Sequence, residues 1–116
     1  MDDFPQFMRN SKNRIKKTSQ YSKGIEGYVF DGKDGSQLAF WTCHGARKSA
    51  EHSHPYDEYV VCVQGQYKVI MKEKVIVLNP GNEFLISKGI LHGAKSVVGT
   101  RTIHAFGGKR AERESE

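Results

Sequence analysis

From Ile25 to Phe106 the chain is a series of short apolar runs broken by turn residues. "GYVF" (27–30) leads through "DGKDGS" to "QLAFWTCH" (37–44). "YVVCV" and "YKVIM" flank "QGQ", which reads as a hairpin turning at Gly65. "KVIVL" and "EFLIS" flank "NPGN", where Pro80 presets the backbone and Gly81 is free to take positive φ. "SVVGTRTIHAF" (96–106) closes the set as an extended segment. No stretch of this region carries the spacing of a long amphipathic helix. Short strands with such punctuation predict an antiparallel, all-β sandwich or barrel, not alternating β and α units. "LAFWTC" is apolar on both faces, so one face fills the barrel and the other needs a cover. A homodimer is the expected cover.

The flanks differ from the middle. Residues 9–23, "RNSKNRIKKTSQYSK", hold six lysines and arginines and no acid. They account for the formal charge of +5 in a chain of 116 residues. No nucleic-acid motif accompanies this run, so a strand or leader lying on the barrel or on a neighbouring subunit is expected in place of a nucleic-acid arm. The tail "GGKRAERESE" mixes both signs without an apolar period and is expected to fray. The expected organisation is a basic arm (1–24), a barrel (25–107) and a charged tail (108–116). No apolar run is long enough to span a bilayer, and "MDDFPQFMRN" lacks a secretory core. A cytoplasmic protein with reduced Cys43 and Cys62 is expected.

Chemistry concentrates in "EHSHPYDE" (51–58). On an extended segment His52 and His54 share a face, and Glu58 follows after a short link. Local spacing alone is equally the mark of a polar surface loop. A further ligand is needed, and His92 in "SKGILHG" is the candidate. Three histidines and one carboxylate suit Fe, Mn, Ni, Cu or Zn, whereas calcium wants oxygen donors. Four protein ligands on a six-coordinate ion leave two positions open, as a catalytic site requires.

These residues resemble the two motifs of a small single-domain cupin. The first motif is met by Gly45, His52, His54, Glu58 and Gly65, with a leading gap one residue longer than the pattern. The second is met by Gly81, Gly89 and His92, with Ser87 in place of a proline and Ser96 in place of an asparagine. The resemblance implies a double-stranded β-helix, the jelly-roll cupin barrel, with a metal near one mouth. It also implies a metal-dependent small-molecule enzyme, whether dioxygenase, decarboxylase, isomerase or lyase. The alternative it implies is a non-catalytic module that binds a sugar or carboxylate. The expected partner is a small polar molecule such as a sugar, a uronate or another carboxylate.

Trp41, Tyr56, Cys62, Tyr67, Phe84 and Phe106 are the candidates for the pocket wall, though each also suits a core. Cys62 shares the Glu58 face by alternation and is as well explained as a small filler. His104 is a candidate acid or base behind the metal, and Arg101 a candidate clamp for an anionic substrate group.

Overall fold

The computed structural model describes residues 1–21 and 23–116; Ser22, within the basic run, lies outside them. Strands β1 (Ile25–Asp31), β2 (Gln37–Cys43), β3 (Arg47–Lys48), β4 (Glu58–Gln64), β5 (Tyr67–Met71), β6 (Val75–Leu78), β7 (Glu83–Ile86), β8 (His92–Ser96) and β9 (Arg101–Phe106) form two antiparallel sheets. The larger sheet runs β1-β2-β9-β4-β7 and the smaller β3-β8-β5-β6. The only helical pieces among the described residues are three short 3₁₀ turns in the arm. Apart from the pairs β1–β2 and β5–β6, successive strands change sheet as the chain advances, which is the wrapping of a jelly roll.

That wrapping corrects the hairpin expected at Gly65. β4 and β5 belong to different sheets, and so do β6 and β7 across "NPGN". Both turns carry the chain from one sheet to the other. The true hairpin of the smaller sheet is β5–β6, with Tyr67 opposite Leu78 and Ile70 opposite Val75. A reversal within a sheet and a crossing between sheets start from the same extended pattern, so apolar alternation cannot tell them apart. Gly65 is nonetheless required where it stands. Its φ is +79°, and a Cβ there would run into Thr100, whose hydroxyl bridges the Gln66 backbone.

The interior divides along the barrel axis. One buried cluster holds Val29, Ala39, Trp41 and Phe106, joined by Ile15 from the arm and Ala111 from the tail. The other holds Val60, Cys62, Val69, Leu78 and Ile86. A third cluster lies on the outer face of the larger sheet, where Phe4 of the arm covers Tyr28 and Phe40; the Phe4 and Phe40 rings are 4.7 Å apart. The outer face of β2 is therefore covered in part by the chain's own arm. Leu38, farther along that face, stays 47% exposed.

The tail is docked, contrary to the expected fraying. The buried Gln37 amide accepts from the backbone N–H groups of Arg110 (2.7 Å) and Ala111 (2.9 Å) and donates to the Ala111 carbonyl at 3.1 Å. Arg113 pairs with Asp31 at 2.8 Å, and Lys16 of the arm pairs with Glu112 of the tail. Hydrogen bonds, ion pairs and one buried alanine anchor the tail, so no apolar period announces it.

Candidate metal centre

His52 and His54 lie on an extended segment between β3 and β4 that forms no regular strand. His52 is tied to the first residue of β8 by a two-way backbone bridge with His92, both bonds 2.9 Å. This bridge brings distant parts of the sequence to one point. The coordinating atoms of His52, His54 and His92 all lie within 4.8 Å of one another. A shared ion about 2.0–2.1 Å from each nitrogen needs separations no greater than about 4.2 Å, so small side-chain rotations complete the set.

The tautomers are set by neighbours. His52 Nδ1 meets the Ala50 carbonyl and His92 Nδ1 the Ile90 carbonyl, each at 2.9 Å. A carbonyl only accepts, so Nδ1 carries the proton and Nε2 presents a lone pair. The Nε2 atoms of His54 and His92 are buried without a hydrogen-bond partner. An unpaired buried nitrogen costs about 1–3 kcal/mol, a cost that a coordinated cation removes. The donor set thus fits a divalent transition metal. Burial pushes His52 down to about 4, and burial likewise lowers His54, keeping both rings neutral for coordination.

Glu58, the first residue of β4, brings Oε1 to 3.6 Å from His54 Nε2 and 3.4 Å from His92 Nε2, beside a set of mutually close ligand atoms that comprises the three histidines. Its Oε2 accepts from His104 Nδ1 at 2.8 Å, and His104 Nε2 accepts from the Thr102 hydroxyl at 2.9 Å. Burial works to raise Glu58, but the hydrogen bond from His104 and the nearby His92 imidazole outweigh it and hold the carboxyl far below its ordinary value. Burial also works to lower His92, and the Glu58 carboxylate with the Ile90 carbonyl reverses that, so its pKa lies above the usual imidazole value.

Beside this group a cleft opens to solvent, lined by the mixture of aromatic walls and a few convergent polar groups that small-molecule sites use. Trp41, Tyr67, Phe106 and His104 line it with His52, Glu58 and His92. Gly27 makes room for Trp41, since a Cβ there would collide with the indole. Tyr56 is not part of the lining. It stacks behind His54 at 4.8 Å, and burial pushes its phenol up to about 12.

Cys62 and Phe84 lie away from the lining, in the lower core cluster. Alternation put Cys62 on the correct face of β4, but it stands below the His104 level, facing Thr102 in the ladder. Phe84 opposite Val60 packs against that same cluster. Arg101 points to the outer face: its guanidinium sits over the Phe4 ring at 4.8 Å and donates to the Met1 carbonyl and to Gln64. On β9 the odd positions face outward, and Thr102, His104 and Phe106 face the cleft. The sequence pattern passed over Gln20, Tyr21, Arg47 and Arg110, which also line it. Tyr21 stacks on His52 at 3.9 Å, and Gln20 accepts from the Trp41 indole at 2.9 Å. These residues sit in the arm, in the two-residue β3 and in the tail, where no periodicity marks a wall.

Residues 40–105 match the cupin domain family, and the chain belongs to it. Among solved structures, an RmlC-like cupin from Shewanella frigidimarina NCIMB 400 is 18% identical with a TM-score of 0.69, covering 99% of this chain and 98% of its own. KdgF from Halomonas sp. is 18% identical with a TM-score of 0.65, covering 87% and 95%. An HTH_3 family transcriptional regulator from Vibrio cholerae is 19% identical with a TM-score of 0.64; 91% of this chain aligns with 60% of that one. At these identities the likeness is one of fold. A search of curated proteins finds no match.

Proposed function

We propose that this protein is a metal-dependent cupin enzyme that acts on a small polar molecule held in the cleft. His52, His54, His92 and Glu58 would hold the ion, one of Fe, Mn, Ni, Cu or Zn. The observation that carries this is the pair of buried, unpartnered Nε2 atoms of His54 and His92 beside an open cleft. When bound, the ion would polarise a carbonyl or carboxylate oxygen or, in a redox-active form, supply electron transfer. The chain's own groups orient: His104 fixes the Glu58 carboxylate, and Trp41 and Phe106 exclude water from one wall. Elemental analysis of protein purified without chelator should give near-stoichiometric metal, and the His52→Ala/His92→Ala double variant none. Equal metal in both would defeat the proposal.

A second reading, a binding module without turnover, is favoured by the engagement of both His104 ring nitrogens: among the described residues, the one lining histidine outside the proposed ligand set is not free to act as acid or base. A ligand recovered unchanged after long incubation with the loaded protein supports it. We propose further that residues 1–24 and 108–116 serve as wrappings on the 25–107 barrel, and that the protein is a cytoplasmic homodimer. Exposed Leu38, Phe30 and Leu85 on the larger sheet support the dimer; a light-scattering mass equal to the monomer would exclude it. No helix is long and apolar enough to cross a membrane among the described residues.

A further inference from the structure

We infer that the ligand of the cleft is an anion, recognised by Arg47 of β3 and Arg110 of the tail. The inference rests on the cleft being the ligand site and names the class of molecule it takes.

Both arginines line the cleft, and neither has an acidic partner within ion-pair distance among the described residues. Arg14, Lys16 and Arg113 do form ion pairs, although they sit nearer solvent or at the arm–tail seam. Arg47 Nε is buried without any hydrogen-bond partner, and the side chain's recorded bond is a long one, 3.4 Å, to its neighbour's carbonyl. Its guanidinium lies where a Cβ on Gly24 would be, and close to where one on Gly45 would be, so these glycines leave the space it occupies.

Arg110 is held in place without being neutralised. Nη1 donates to the Ser19 carbonyl at 2.6 Å, and the guanidinium lies 4.4 Å from the Tyr21 ring centre. One bond to a carbonyl leaves most of its five N–H donors for a ligand. The cleft's one carboxylate, Glu58, is already shared among His54, His92 and His104. A divalent ion with a single carboxylate ligand keeps a net positive charge, and two guanidiniums add to it. Water-excluding walls concentrate that field, and a planar guanidinium matches a carboxylate or phosphate two bonds at a time. A neutral ligand would leave both cations without a counterion.

Trp41, the chain's one tryptophan, lies 5.5 Å from the Arg110 guanidinium, so its fluorescence reports binding. Glucose, glucuronate and a phosphorylated glucose share a ring and differ in charge. They would be titrated into metal-loaded protein and again after chelation. The expected result is about tenfold tighter binding of one or both anions than of glucose, weakening with salt. Arg47→Met and Arg110→Met should each remove most of that preference, and Lys33→Met, at an exposed turn, none of it. Which anion binds more tightly identifies the group as carboxylate or phosphate. Equal affinity for the anions and for glucose overturns the inference without any variant. Preference retained in both folded arginine variants also overturns it. A protein that takes up no metal yet still prefers the anions supports it while sinking the metal proposal.

Discussion

His104 donates to Glu58 through one ring nitrogen and accepts from Thr102 through the other, so its contribution is orientation of a carboxylate. His104→Leu should weaken metal affinity about 10–100-fold with the far-ultraviolet spectrum unchanged, measured by competition with a chromophoric chelator. Unchanged affinity would leave His104 a packing residue. His52 offers a test of burial. Its folded value near 4 lies below the ordinary 6.5, so as pH falls through that window the unfolded chain takes up a proton that the folded chain refuses. Metal-free protein should therefore lose stability from about pH 6.5 down to about pH 4. His52→Gln should lose less, by on the order of 1 kcal/mol once partial exposure is allowed for. Parallel denaturation curves for the two proteins at every pH would refute this. At this scale the gathering of His52, His54 and His92 was legible because ligand chemistry demands particular residue types. Arg47 and Arg110 were not, since a lining arginine and a solvated one look alike in a sequence.

Among the elements, the strands follow from apolar alternation and the partners of each strand do not. "YVVCV" and "YKVIM" are strands as the pattern predicts, yet they lie in different sheets. Pairing is decided by wrapping, a property of the whole chain. β3 is two residues long, too short for any period, and it nonetheless delivers Arg47 to the cleft. Turn residues carry more information than strands do. At Gly65 positive φ and the proximity of Thr100 coincide, so Gly65→Val should cost about 2–4 kcal/mol in urea denaturation. A loss below about 0.5 kcal/mol would show that the turn relaxes without penalty.

The molecule as a whole uses its flanks as structure. Phe4 covers the outer face, Ile15 and Ala111 enter the core, and Gln20, Tyr21 and Arg110 build one wall of the cleft. Composition described these segments correctly as charged and without period, but their anchorage is by hydrogen bonds, individual ion pairs and single apolar contacts, which leave no pattern to read. The same observation moderates the argument for a dimer, because part of the surface that seemed to need a partner is met by the arm.

Glu58 belongs to the larger sheet and His92 to the smaller, so an ion held by both would be a crosslink between the two layers. Such a link acts as a titratable counterpart of a disulfide, fastened by mass action. At a thousandfold excess of free metal over the dissociation constant it adds about 4 kcal/mol to the folded state. The melting temperature should keep climbing with the logarithm of metal concentration after the site is saturated, and a chelator should reverse the climb. Glu58 and His92 both line the cleft, so the end of the barrel that receives the ligand is the end the metal braces.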